Sequence, residues 1–281
     1  MQYVSRWTAG FCAVLALACG GGCANALRAP STLIVAHRGA SEIAPENTLA
    51  AFELAWAAGA DGIEGDFFQS RDGVIVAHHD RTTKRTSGVD RGVRDQTYAE
   101  LAVLDVGRWK SSQYEGERIP TLYQVMRTVP PGGRIFIEIK DDVSIVEPLA
   151  RALETTTVIG RSQMTVIAFD AETLGVLHRR LRWLDTLWLT GFEQDAAGAW
   201  TPGVEEVIAT AHRIGANGVD VEANASVVDQ AFVDAVHAQG LELHIWTVND
   251  PDAAQRWADM GVDSITTDRP NTIGTAVRAA R

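Results

Sequence analysis

Four short segments concentrate the reactive side chains of this chain: His37-Arg38-Gly39, Glu64-Gly65-Asp66, His79-Asp80 and Glu138-Ile139-Lys140. Each ends a strand-like run. Residues i and i+2 of a strand face the same side, so Glu64 points with Asp66, and Glu138 with Lys140. Two carboxylates held side by side repel unless a cation binds between them, and an oxygen-only ligand set favours Mg2+ or Ca2+ over a thiophilic metal. The flanking Ile63, Phe67 and Phe68 read as a buried strand, which argues against solvated loop charges. Asp220 and Glu222 repeat the spacing on a later strand. They are a competing ligand source, ranked behind the first pair as supporting or loop charges. Beside His37, a buried Arg38 would be costly unless an anion visits. His78 and His79 point to opposite sides of one extended segment, so a site takes only one of them. Imidazole titrates near neutrality and suits proton transfer in phosphodiester cleavage. His178, His212 and His237 lie in helical runs and read as surface or packing residues.

Strand-like runs recur at Leu33–Ala36, Gly62–Phe68, Arg134–Ile139, Met164–Phe169, Thr186–Thr190, Ala216–Val221, Leu241–Val248 and Asp263–Thr267. Amphipathic helical runs separate most of them: Asn47–Ala58, Ser144–Leu153, Ala171–Leu181, Val204–Ile214, Asp229–Gln239 and Pro251–Met260. This alternation implies βαβ units and a parallel sheet. Eight strands in about 255 residues suit an α/β fold of the (β/α)8 TIM barrel type. An open doubly wound sheet would carry a glycine-rich turn after the first strand, where only Gly39 is near. The rhythm breaks between the second and third strands, at roughly residues 69–133, a stretch far longer than a usual βα loop. It holds a turn at Ser70–Gly73, a strand-like Val74–Ala77, a short helix near Tyr98–Leu104 and another at Leu122–Val129. We expect an insertion leaning over the C-terminal mouth of the barrel, where such loops build sites.

The 281 residues carry a formal charge of -11, which argues against nucleic acid or an anionic membrane as a general partner. A phosphate substrate must then be neutralised locally. Residues 1–26 have the layout of a secretory signal: a thin cationic start at Arg6, a short apolar core and an Ala24-Asn25-Ala26 step. The apolar run is too short and too interrupted by glycine for a membrane span. The expected location is periplasmic or secreted, with lipid anchoring through Cys19 or Cys23 as the other processing route. Cys12, Cys19 and Cys23 are the three cysteines, so cleavage after Ala26 leaves a mature chain free of thiols. The folded domain is expected over residues 31–281.

The segments "AHRGASEIAPENTLAAFELAWAAGADGIEGD", "SRDGVIVAHHDRTTKRTSG", "LDVGRWKSSQYEGERIPTL", "FIEIK" and "IWTVND…MGVDSITTDRP" follow one another in an order that resembles the glycerophosphodiester phosphodiesterase family, from about Leu33 to Pro270. The resemblance implies a TIM barrel with a small insertion and one divalent cation, Mg2+ or Ca2+, held by Glu64, Asp66 and Glu138. It implies His37 and His79 as the acid/base pair, with Arg38 and Lys140 on the phosphate oxygens. Trp246 would be an aromatic wall near the glycerol, or else a core tryptophan beneath the mouth. Glu46-Asn47-Thr48 would support the loop and start a helix, with Asn47 as N-cap. The implied substrate is a small phosphodiester, cleaved to glycerol 3-phosphate and an alcohol, with no protein partner indicated. Two other functions fit the same barrel: lysophospholipase D-type cleavage, with a groove near Phe67, Phe68 and Trp109, and a non-catalytic phosphate-binding surface module. Departures from the pattern are small: Ser70 for threonine, Thr83 for an apolar residue, and Ala168 for serine, the last expected to alter contacts at the mouth.

Overall fold

The computed structural model describes residues 32–279, so the leader expected at residues 1–26 lies outside the described residues. The strands are β1 (Leu33–Ala36), β2 (Gly62–Gln69), β3 (Ile75–Ala77), β4 (Arg134–Ile139), β5 (Met164–Ala168), β6 (Asp185–Thr190), β7 (Glu193–Gln194), β8 (Trp200–Thr201), β9 (Gly218–Glu222), β10 (Glu242–Trp246) and β11 (Ser264–Thr267). Eight of them run parallel in the order β1-β2-β4-β5-β6-β9-β10-β11. The ring closes where β1 meets both neighbours, Val35 opposite Gly62 and Leu33 opposite Ser264. The expected barrel is the observed one.

The helices are α1 (Leu49–Ala57), α2 (Lys84–Ser87), α3 (Tyr98–Leu101), α4 (Leu122–Met126), α5 (Val146–Thr155), α6 (Ala171–Arg180), α7 (Val204–Ile214), α8 (Gln230–Ala238), α9 (Pro251–Met260) and α10 (Pro270–Ala279). The period of two decides what each strand does. Outward residues such as Ile34, Ile63, Ile137, Val166, Val219, Leu243 and Ile265 are buried under the helices. Each contributes about 1.5–3 kcal/mol by leaving water. Inward residues Val35, Phe136, Ile167, Leu187 and Leu189 plug the middle of the barrel beneath Trp246. The interior below the mouth is therefore filled, and the polar strand ends are pushed to the top. Ala168 belongs to the outward set; contrary to expectation, it faces the helices and not the mouth.

The insertion is a separate small layer. β2 runs past the barrel rim and pairs antiparallel with β3, Phe67 opposite Ala77 and Phe68 opposite Val76. Ser70 builds the connecting turn, its hydroxyl donating to Asp72 (2.7 Å) and accepting from the Val74 N–H (2.9 Å). Phe68, Val76, Val93, Leu101, Val106 and Ile119 form its own core. Capping boxes open α3 (Thr97 with Glu100) and α4 (Thr121 with Gln124). α4 ends short of the expected Val129, which precedes Pro130 and is disfavoured in helix for that reason.

Not anticipated were the short helix α2, the hairpin β7–β8, turned by Asp195 and Gly198, and α10, which packs on α9 and β1. Asn47 is not the N-cap of α1. Thr48 caps it, accepting from the Ala51 N–H at 3.2 Å, while Asn47 sits outside the helix at φ 59°. Among the described residues no helix is long and apolar enough to cross a membrane.

The turn after β1 lies directly on α1. Gly39 has φ 81°, and a Cβ there would stand 2.5 Å from the Ala51 carbonyl carbon. Both strain and clash act together in Gly39→Ala, so we expect a loss of about 3 kcal/mol or more. Thermal melts followed by circular dichroism would show it, and an unchanged midpoint would mean that the turn can move away from α1.

Candidate active site

Glu64, Asp66 and Glu138 come together at the upper rims of β2 and β4, where Asp66 lies directly opposite Glu138 in register. All three are buried, and each offers a ligand oxygen within 4.8 Å of the other two. Burial, then repulsion from Asp66 and Glu138, pushes Glu64 well above the usual carboxylate range; burial and Asp66 push Glu138 up too. Asp66 goes the other way. Burial would raise it, but Arg38, Lys140, His79 and Asn47 outweigh burial. Glu64 Oε1 and Asp66 Oδ1 are buried without a hydrogen-bond partner. An all-oxygen trio with two orphaned oxygens and excess negative charge fits a hard divalent cation; the expected residues are the ones brought together.

Two residues with positive φ other than glycine, Arg38 (56°) and Asn47 (59°), frame the trio. This left-handed conformation costs about 1–3 kcal/mol and persists only where surrounding contacts impose it. Here the contacts are to the carboxylates. The Arg38 N–H donates to Glu64 Oε2 at 2.9 Å. The Asn47 amide donates to Asp66 Oδ2 at 2.7 Å and accepts from the Asp66 N–H at 3.1 Å. The Arg38 guanidinium lies 3.2 Å from Asp66, and Lys140 Nζ donates to Glu138 at 2.8 Å. Both cations therefore border the trio while keeping donors free for an anion.

The histidines are held alike. His37 Nδ1 is 2.7 Å from Asp268 Oδ1, and His79 Nδ1 is 2.7 Å from Asp80 Oδ1. Ser41 (2.9 Å) and Asn249 (2.6 Å) donate to Asp268 and, with His37, hold it below the usual range against the effect of burial. Arg85 donates to Asp80 at 2.7 Å, and with His79 it overcomes burial to bring Asp80 to about 2. Both carboxylates are thus anions near neutrality, and each engages its imidazole through Nδ1. Arg85 also grips Glu46 (2.7 and 3.0 Å), which accepts from Arg38 at 3.2 Å. One chain of ion pairs therefore ties His79 on the insertion to the barrel rim. His78 is buried, its Nε2 against the Thr82 carbonyl at 3.1 Å, and stays out of the site as expected. His178 and His237 also have structural partners, Thr186 and Asp263.

His37, Arg38, Glu64, His79, Glu138 and Lys140 line one cavity of about 170 Å3 whose walls include Trp246, Phe169 and Asp220. Trp246 is half-buried: it lines the cavity, meets Phe169 edge to face at 5.5 Å and packs on the apolar interior of the barrel. Asp220 is no loop charge. It lies inside the cavity, whereas Glu222 faces an outer pocket and accepts from the Phe192 N–H at 3.2 Å. Asp268 and Asp220 are the residues the sequence reading undervalued; both are acids at or just past a strand end, the same signal that marked Glu64. Phe67 and Phe68 are buried, and of the three aromatics expected beside a groove only Trp109 is exposed, at 39%.

The model of the glycerophosphoryl diester phosphodiesterase family matches residues 37–272. A glycerophosphodiester phosphodiesterase of Caldanaerobacter subterraneus subsp. tengcongensis is 32% identical over 254 residues, which are 88% of this chain and 98% of that one. A Bacillus subtilis protein of the same name is 31% identical over 262 residues, 88% of this chain and 87% of its own. Among solved structures, an Oleispira antarctica phosphodiesterase in complex with its product sn-glycerol-3-phosphate superposes with a TM-score of 0.76 at 25% identity, covering 88% of this chain and 97% of that one.

The raised carboxyls set a stability test. An acid whose folded pKa lies above its unfolded value contributes stability at low pH and loses it as pH rises through the folded pKa. Glu64 and Glu138 are of this kind, while lowered Asp66 acts only in more acidic solution. In chelator, the melting temperature should fall by several degrees between about pH 5 and about pH 8. Glu138→Gln should flatten that slope, and Ca2+ or Mg2+ should raise the midpoint of the wild type much more than that of the variant. A wild-type midpoint indifferent to pH and to both ions would exclude a cation site at the trio.

Proposed function

The chain belongs to the glycerophosphoryl diester phosphodiesterase family, and on that premise we propose that it hydrolyses glycerophosphodiesters to glycerol 3-phosphate and an alcohol. The observation that carries the reading is the convergence on one small cavity of two aspartate-held histidines, two cations and two members of the buried acidic trio, Glu64 and Glu138. Glu64, Asp66 and Glu138 would hold a divalent cation, Mg2+ or Ca2+, whose chemistry when bound is Lewis-acid polarisation of a phosphoryl oxygen.

Arg38 and Lys140 supply the remaining positive charge at the non-bridging oxygens, where negative charge grows at five-coordinate phosphorus. One histidine takes at Nε2 the proton of the nucleophile, either water itself or a neighbouring substrate hydroxyl whose cyclic phosphate water then opens. The other gives a proton from Nε2 to the departing alkoxide as its bond to phosphorus breaks. Asp268 and Asp80 each stabilise the imidazolium and hold its ring in place. The net reaction adds one water, the alcohol leaving with a proton and the phosphate keeping the glycerol.

Export of the enzyme, resting on the apolar stretch and the Ala24-Asn25-Ala26 step, belongs to the same proposal. N-terminal sequencing of the protein from its host should then begin at Leu27, and an intact Met1 would remove the export reading.

Purified enzyme should release glycerol 3-phosphate from glycerophosphocholine, stop in chelator and resume with one of the two ions. His37→Ala and His79→Ala should each lower kcat by about 10^2 to 10^4 while melting like the wild type. Asp268→Ala should lower kcat by less than His37→Ala does. Near wild-type turnover in either histidine variant would take that side chain out of the mechanism.

A further inference from the structure

Asp220 is the ionisable group of the cavity for which the proposed reaction has no use. It sits on β9 between Leu189 of β6, which is apolar, and His244 of β10. His244 cannot satisfy it, because both imidazole nitrogens are engaged, Nδ1 with Ser264 (2.6 Å) and Nε2 with Glu242 (3.0 Å). The residue is 2% exposed, and its Oδ1 is buried with no hydrogen-bond partner. Its backbone carbonyl accepts from Trp246 Nε1 at 3.1 Å.

A buried acceptor left without a donor is costly, and a native structure that tolerates one usually meets it with a ligand, an ion or a water. The cation site does not account for it, since the oxygens that cluster within 4.8 Å are those of Glu64, Asp66 and Glu138. What the cavity offers beside Asp220 is small and mixed. Ile167, Leu189, Phe169 and Trp246 give apolar walls suited to a short carbon chain, and Thr266 gives one more hydroxyl. A volume of about 170 Å3 suits a three-carbon polyol.

We infer that Asp220 accepts a hydrogen bond from a free hydroxyl of the glycerol moiety and thereby selects polyol phosphodiesters over esters of simple alcohols. The inference rests on the reaction proposed above and adds the residue that reads the substrate. A site built to bind a hydroxyl rejects the analogue lacking it strongly, because the polar group is then left buried and unpaired.

The test measures binding apart from turnover. Calorimetric titration of metal-loaded enzyme compares glycerol 3-phosphate with propyl phosphate, which has the same charge and carbon count but neither hydroxyl. Wild type should bind glycerol 3-phosphate about 10^2-fold more tightly. Asp220→Ala should lose most of that preference with propyl phosphate unchanged, and Asp220→Asn, which keeps an acceptor oxygen, should retain part of it. In the same variants, kcat/KM for glycerophosphocholine should fall mainly through KM. Equal affinity of the wild type for both ligands, or an equal loss for both in Asp220→Ala, overturns the assignment of Asp220 alone. A metal-loaded wild type that binds neither phosphate and cleaves no glycerophosphocholine overturns the reaction itself, so the two failures are told apart.

Discussion

Three carboxylates buried within a few ångströms of one another are the constraint around which the rest of the mouth is arranged. A polypeptide places such a group only where other parts of the fold supply compensating charge and donors. Here two non-glycine residues accept left-handed backbone so that an arginine N–H and an asparagine amide can reach the acids. Arg38 and Lys140 approach from either side of the trio. These contacts offset the repulsion in part and leave two oxygens without partners. The site is thus prepared for positive charge from outside the chain, whether from a cation or from protons taken up in its absence.

The proposed acid/base pair is built on the same logic in duplicate. Each imidazole is pinned through Nδ1 by an aspartate that is itself immobilised, one by Ser41 and Asn249, the other by Arg85. Two matched supports suit a reaction in which one imidazole loses a proton while the other gains one, because both must be stable as imidazolium during the cycle. The asymmetry lies in where they stand: His37 follows β1 on the barrel itself, whereas His79 belongs to the insertion.

Much of this was legible in the sequence, for one reason. Period-two alternation reports the face on which a strand residue lies, so Glu64, Asp66, Glu138 and Lys140 could be assigned to the barrel mouth, and the eight strands could be counted. The same alternation does not report height along the barrel. Asp220 and Glu222 share a face, yet one lies in the cavity and the other outside it, a difference fixed by the stagger between neighbouring strands. Asn47 misled for a related reason. Its type suits an N-cap as well as a left-handed turn, and the choice was settled by Asp66, distant in sequence, with Thr48 taking the cap. The partners of the histidines were half visible: Asp80 adjoins His79 in the chain, while Asp268 meets His37 only when the last strand closes the ring.

The chain of ion pairs from Asp80 through Arg85 and Glu46 to Arg38 has a meaning for how such a barrel can diverge. Loops at the mouth of a (β/α)8 barrel are ordinarily the exchangeable part of the fold, free to be traded while the frame persists. This insertion is not exchangeable in that sense, because it brings one half of the proposed proton-transfer pair and is fastened to Arg38 through Arg85 and Glu46. Beyond Arg85 it is tied to the mouth again, by Lys110 donating to the Ser41 carbonyl at 2.7 Å and by Arg94 2.6 Å from Asp141. Lineages built on this frame are therefore expected to vary at the hairpin β7–β8, and to inherit the insertion together with the barrel as a single unit.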